Sequence, residues 1–166
     1  LSSAFGYAGQ KCSACSRLYA QDLIFEDLMA RLAEEAEGLR VGDPFERDTF
    51  IGPVITRRAL DNYLGWVRKA AEGGKVLTGG KRIGSGKLAR GHYAAPTIVT
   101  GLPEDHELMR TELFVPILCA QSFSSLPEAL RKANDTEFGL TAGIFSTNEA
   151  ELKYFFDNIE FGVVYA

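Results

Sequence analysis

The sequence predicts an α/β fold with a mostly parallel sheet and helices on both faces. Strand-like and helix-like segments alternate through its second half, which is the signature of β-α-β units. A strand run there, PILCAQSF (116–123), is continuously apolar at its start, as expected of a strand buried on both faces. The size fits as well: 166 residues, 46% hydrophobic and 24% charged, suffice for one domain with a sizeable core and argue against disorder.

Taken in order, RLYA (17–20) reads as a short strand. Residues 22–36 carry Ile24, Phe25, Leu28, Leu32 and Ala36 at helical spacing, with Asp22 as the expected N-cap. The Gly-Asp-Pro and Gly-Pro pairs of VGDP and FIGPVI mark an irregular loop. Thr56 is expected to cap a second helix with Leu60, Tyr63, Leu64, Val67, Ala70 and Ala71 on one face, ending at Gly73-Gly74. KVLTGG reads as a strand into a turn, KRIGSGKLARG as a polar surface excursion, and YAAPTIVTGL as a strand whose Pro96 predicts an edge or a bulge.

In the second half, Ser125 and Glu128 form an S-x-x-E capping box with Pro127 in the first turn, opening a helix to about Ala133. GLTAGIFS (139–146) is a strand. Asn148 then caps a helix with Leu152, Phe155, Phe156 and Ile159 on one face, and FGVVYA is the last strand. VVYA ends without a turn residue and LSSAFGYAGQ starts on a helical pattern. The expectation is a domain truncated at both ends, a piece of a larger protein.

A net charge of −4 with scattered basic residues argues against nucleic acid as a partner, and no apolar run reaches the length of a membrane span. Three cysteines cannot all pair within the chain, so a reducing, cytoplasmic compartment is expected, or the mitochondrial matrix in a eukaryote.

Two of those cysteines stand in GQKCSAC (9–15), a C-x-x-C frame. A thioredoxin-like redox pair needs its first thiol at a helix N-terminus, yet SRLYA after Cys15 is a strand pattern. A metal site needs two further ligands, but Cys119 lies in a buried-strand run, and His92 and His106 are isolated, with no acid or base partner. Packing as small hydrophobes suits Cys15 and Cys119. It suits Cys12 less, because Gln10, Lys11 and Ser13 around it are polar and Gly9 permits close backbone approach. Lys11 would favour a thiolate if its ammonium turned toward the sulfur.

The run FGYAGQKCSA (5–14) resembles the active-site cysteine signature of NAD(P)-dependent aldehyde dehydrogenases, with the nucleophile on Cys12 and Cys15 a bystander. Further segments resemble the family in the same order: FIGPVI (50–55), APTIV (95–99), ELFVP (112–116), ANDTEFGL (133–140) and FGVVYA (161–166). Within the superfamily, GQKCSACSRLY is most similar to the Δ1-pyrroline-5-carboxylate dehydrogenase branch, which acts on L-glutamate γ-semialdehyde.

The resemblance implies that residues 1–166 are part of a catalytic domain, with the dinucleotide-binding domain, the general-base Glu and an oxyanion-binding Asn outside this chain. It implies NAD as cofactor, a small aldehyde as substrate, and a homo-oligomer for the full-length protein. Cys12 would form a thiohemiacetal and then a thioester, Glu112 would accept hydrogen bonds from the nicotinamide ribose, and Phe114 would pack near the nicotinamide. Ser13 and Lys11 would face the substrate, Ser13 binding its α-carboxylate. Val115 stands where the family usually has Gly and is expected to shift the backbone there. Without the resemblance, Phe114 reads as core packing and Glu112 as a solvated carboxylate. Asn134 is expected to close its helix in the left-handed conformation. Two other readings stay open: a thiol-redox or sensing domain built on Cys12 and Cys15, and a non-catalytic remnant of the fold.

Overall fold

A computed structural model describes residues 1–166. Sixteen short elements run along the chain, and a four-stranded sheet organises them. Its strands are β1 (Arg17–Gln21), β6 (Ile117–Phe123), β5 (Thr97–Thr100) and β2 (Lys75–Thr78), side by side in that order. The central β6 runs parallel to β1 and to β5, aligning Arg17 with Cys119 and Thr97 with Ile117. β2 joins antiparallel at the edge. Every residue of β5 and the first four of β6 are buried. Consecutive burial in a strand means that both faces are covered.

The helices follow the apolar spacing. α2 (Asp22–Glu37) packs near β1, β2 and β6, burying Met29 and Ala36 with Phe25, Leu28 and Leu32 partly covered. Ile24, expected on that face, stays exposed, and Met29 occupies the buried position instead. Asp22 is the first helical residue and Gln21 the N-cap, without a side-chain bond. The carboxylate therefore acts on the helix dipole from the first turn. α3 (Arg57–Gly73) begins as the sequence predicts, with Thr56 Oγ1 accepting from the Ala59 amide at 3.1 Å, and it buries Leu60, Tyr63 and Ala70.

YAAPTIVTGL divides into β4 (Tyr93–Ala94) and β5, with Pro96 between them. β5 is an interior strand, so the expected edge is absent. Pro96 is tolerated because it precedes the ladder, and the irregular register lies further along, between Val76 and Thr78 of β2 opposite Val99 and Ile98. β4 pairs instead with β3 (Arg82–Ile83).

α5 (Leu126–Asn134) has Pro127 in its first turn, but Ser125 makes no side-chain cap. The Glu128 carboxylate reaches the amide and hydroxyl of Ser124, at 3.0 and 2.8 Å. α6 (Glu149–Asn158) starts on Asn148, whose Oδ1 accepts from the Ala150 amide at 2.9 Å. β7 (Thr141–Gly143) and β8 (Val163–Tyr165) flank α6 and pair parallel, as a β-α-β unit should. They form their own two-stranded sheet rather than extending the larger one. No helix is long and apolar enough to cross a membrane.

One buried polar node ties α3 to the sheet. The Tyr63 hydroxyl donates to the Ala95 carbonyl at 2.9 Å and shares a 2.7 Å bond with Thr97 Oγ1, which also accepts from the Gly80 amide. Burial pushes the Tyr63 phenol up to about 12, against the lowering effect of its bonds with Thr97 and with the backbone at Lys81 and Gly80. Its folded-state value thus exceeds its unfolded one, and it contributes stability that is intact below about pH 10 and lost as pH rises toward 12. Tyr63→Phe is expected to cost about 1–2 kcal/mol in urea unfolding at neutral pH. The variant's stability should also fall less steeply than the parent's between about pH 10 and 12.

Candidate active site

The cysteine segment starts from a buried anchor. α1 (Ser2–Phe5) buries Ala4 and Phe5, and a 3-10 turn over Gly6–Gly9 follows. Tyr7, Ala8 and Gly9 all take left-handed backbone angles, with φ of 56°, 55° and 69°. Two of the three carry a Cβ, which costs roughly 1–2 kcal/mol apiece in that region. Ala8 is buried, whereas Tyr7 is 84% exposed.

Gly9 shows why the chain bends this way. A Cβ on it would lie 2.5 Å from the Val115 carbonyl oxygen and 3.0 Å from Pro116 Cα. Its backbone therefore lies directly against the 111–116 segment, an approach only glycine permits. Residues 11–14 then form a tight turn closed by the Ala14 amide donating to the Lys11 carbonyl at 3.0 Å. Cys12 and Ser13 are its central, exposed residues. The Cys15 amide ties the turn back to α1 through the Ser3 carbonyl at 3.1 Å, and the chain enters β1.

Opposite this turn, α4 (Glu107–Arg110) leads into 111–116, where Phe114 is also left-handed, with φ of 54°. Phe114 is 43% exposed, so it is not a core residue. Its neighbours Leu113 and Val115 are the buried ones. The Val115 carbonyl accepts from the Ile117 amide at 2.7 Å, and that of Pro116 from the Thr97 amide at 3.0 Å.

A third wall follows α5. The Arg17 guanidinium caps that helix, donating to the carbonyls of Lys132 at 3.2 Å and Ala133 at 2.9 Å. Asn134 is not left-handed. Its side chain donates to the Asn158 carbonyl at 2.9 Å and accepts from the Glu160 amide at 3.1 Å, clamping the end of α6. Arg110 pairs with Asp135, which ties this wall to α4.

The three walls enclose a cleft of about 170 Å³. That volume holds a small molecule but not a whole dinucleotide. Lys11, Cys12, Cys15, Glu112 and Phe114 line it, together with Phe138, Leu140 and Phe161. Ser13 belongs to the same turn but not to the lining. The Lys11 ammonium rests over the Gly6 turn, 3.5 Å from where a Cβ on Gly6 would lie. Glu112 is exposed and makes no ion pair or hydrogen bond. His106 caps α4 by accepting from the Leu108 amide, outside the cleft.

The three thiols differ in burial. Cys119 is fully buried in β6, and burial pushes its pKa up to about 12. Cys15 is half-buried and also raised, chiefly by burial, with its thiol facing the Arg17 carbonyl at 3.4 Å. Cys12 is the exposed one. An exposed thiol at the rim of a cleft, facing an unpaired carboxylate and an uncovered aromatic ring, is equipped for nucleophilic attack on a small bound electrophile. Sequence reasoning missed Gln10, whose side-chain oxygen accepts from the Ile55 amide at 2.9 Å, and the capping role of Arg17. Both partners lie far away in the sequence, and no local pattern signals them.

Residues 1–166 match the aldehyde dehydrogenase family throughout. The chain is 36% identical to a 1-pyrroline-5-carboxylate dehydrogenase of Bacillus cytotoxicus, covering 99% of this chain and 31% of the relative. It is 34% identical to an alpha-ketoglutaric semialdehyde dehydrogenase of Bacillus subtilis, covering 99% of this chain and 34% of that protein. A crystal structure of 1-pyrroline-5-carboxylate dehydrogenase from Thermus with bound NAD superposes with a TM-score of 0.91 at 34% identity, again over 99% of this chain and 31% of the other. The chain thus spans about a third of the length of the relatives it matches.

The Gly9 contact can be tested directly. Gly9→Ala is expected to lose roughly 2–4 kcal/mol in urea unfolding, through its left-handed φ and the clash with Val115. Gly6→Ala, which has an ordinary φ of −56° and meets only the flexible end of Lys11, should stay within about 1 kcal/mol of the parent.

Proposed function

Because the chain belongs to the aldehyde dehydrogenase family, we propose that it carries the thiol nucleophile of an NAD-dependent aldehyde oxidation, with Cys12 in that role. One observation carries this reading: the only exposed thiol of the chain lies at a cleft whose facing wall presents Glu112 and Phe114.

The Cys12 thiolate attacks the aldehyde carbon. A C–S bond forms and the carbonyl π pair moves to oxygen, giving a thiohemiacetal alkoxide. The backbone N–H of Cys12 is a candidate donor to that oxygen. NAD, when bound, accepts the hydride that leaves this carbon. What remains on Cys12 is a thioester. Water adds to it, the C–S bond breaks, and the carboxylate leaves with the thiol restored.

Glu112 and Phe114 fit the nicotinamide end of the cofactor. The carboxylate has no protein partner and is free to accept from ribose hydroxyls, and the Phe114 ring offers an uncovered apolar face. In this reading residues 1–166 are part of a catalytic domain, and the general base and the side-chain oxyanion donor lie outside them.

For the substrate we infer a short semialdehyde with a carboxylate at its far end, and L-glutamate γ-semialdehyde within that class. The likeness of GQKCSACSRLY to the 1-pyrroline-5-carboxylate dehydrogenases supports the narrower choice. The name of the Bacillus subtilis relative supports the class, since alpha-ketoglutaric semialdehyde also carries a carboxylate. Lys11 lines the cleft with its ammonium resting over the Gly6 turn, and it would have to swing from there to meet that group, with Ser13 beside it on the turn.

A limiting amount of iodoacetamide, followed by peptide mass spectrometry, tests the nucleophile. Cys12 should be labelled first, while Cys15 and Cys119 lag because burial disfavours their thiolates. A readily and reversibly formed Cys12–Cys15 disulfide would overturn the assignment in favour of thiol-redox chemistry. The isolated 166 residues are further expected to give no NADH from L-glutamate γ-semialdehyde and NAD, since the base and the dinucleotide-binding domain are supplied elsewhere in this reading. NADH formation by the chain alone, measured by absorbance, would contradict that.

A further inference from the structure

The Cys12 turn has little to hold it. Its two central residues are exposed, and a single backbone bond closes it, from the Ala14 amide to the Lys11 carbonyl. A turn of this kind takes its geometry from its ends. The far end is fixed by the Cys15 amide on the Ser3 carbonyl. The near end is Gln10, which directly follows the three left-handed residues and directly precedes Lys11.

Gln10 Oε1 accepts from the Ile55 amide at 2.9 Å, a contact between residues 45 positions apart. The segment that donates is itself anchored. Ile51 is fully buried with its amide on the Arg40 carbonyl, and the Val54 amide donates to the His92 carbonyl at 2.9 Å. Ile55 lies just before α3 and outside any helix or strand, so Gln10 gives its amide a protein acceptor. One glutamine side chain thus joins an anchored loop to the backbone just before the cysteine turn.

We propose that Gln10 is a positioning residue for Cys12, holding the near end of its turn through the Ile55 amide. The inference rests on the reading of Cys12 as nucleophile, because attack geometry is what a held turn would secure. It also explains how the left-handed run from Tyr7 to Gly9 persists beside an exposed turn, since such strain survives only where neighbouring contacts over-determine it.

Two variants of similar size separate the hydrogen bond from packing: Gln10→Glu keeps an oxygen acceptor and Gln10→Met has none. The probe is the ¹⁵N-labelled 166-residue chain, read by amide hydrogen exchange and by amide resonances. In the Met variant the Ile55 amide should exchange roughly threefold to tenfold faster, as for the loss of one net hydrogen bond. The Cys12, Ser13 and Ala14 resonances should shift or broaden with it. In the Glu variant both signals should stay as in the parent. The proposal is overturned if the Met variant frees Ile55 while leaving the turn resonances unmoved, if the Glu variant fails as the Met variant does, or if the amides of β6 lose protection to the same degree. None of these readouts needs turnover. Loss of selective Cys12 labelling in the unsubstituted chain would sink the nucleophile reading alone.

Discussion

Backbone meets backbone where Gly9 lies against Val115 and Pro116, and the rest of the site is arranged around that contact. A side chain at residue 9 would force the two segments apart, since its Cβ would fall 2.5 Å from a carbonyl oxygen. With no side chain there, the cysteine loop lies directly against the wall that bears Glu112 and Phe114. The Val115 side chain is buried, and its carbonyl is what meets Gly9. The left-handed Phe114 then turns away from the core that takes up its two neighbours.

The strain needed to make this contact is concentrated in Tyr7, Ala8 and Phe114, the three non-glycine residues with left-handed angles, and all of them belong to the two segments that meet. The compensation comes from outside them. Phe5 is buried below the loop, and β6 supplies a rigid floor, with the Cys119 amide held by the Ser16 carbonyl. Arg17 and Asn134 act at longer range. One satisfies the free carbonyls at the end of α5 and the other fastens the end of α6, so the third wall leaves a fixed point. Each of these residues fixes part of the frame around Cys12.

What could be read in the sequence was local. Thr56 and Asn148 cap their helices as residue type and spacing imply, because a cap is decided within three residues. The apolar face of α3 is likewise where its period puts it through Leu60, Tyr63, Leu64, Val67 and Ala70, although Ala71 falls on the exposed side. Errors arose where tertiary context decides. Pro96 implied an edge strand, but it stands outside the ladder of an interior one. Ser125 had the letters of a capping box, while Glu128 found Ser124 instead. β7 and β8 read as members of one sheet, but strand pairing between distant segments is not written in either strand. The site divides the same way. Motif letters marked Cys12, Glu112 and Phe114, whereas Gln10 and Arg17 work through partners 45 and more than 100 positions away.

Burial divides the C-x-x-C frame. Between Cys12 and Cys15 the chain leaves an exposed turn and enters the strand, so two thiols three residues apart occupy different dielectric surroundings. For Cys119, buried in β6, burial holds the thiol protonated well above the ordinary range and disfavours the nucleophilic thiolate. Cys15 is shifted in the same direction by the same cause. Selectivity among the three therefore arises from suppression of the two covered sulfurs. No helix begins at Cys12 to activate it by a dipole, and the Lys11 ammonium lies over Gly6. In this chain the fold sets which sulfur is exposed, and the turn closed from Ala14 to Lys11 sets where it stands.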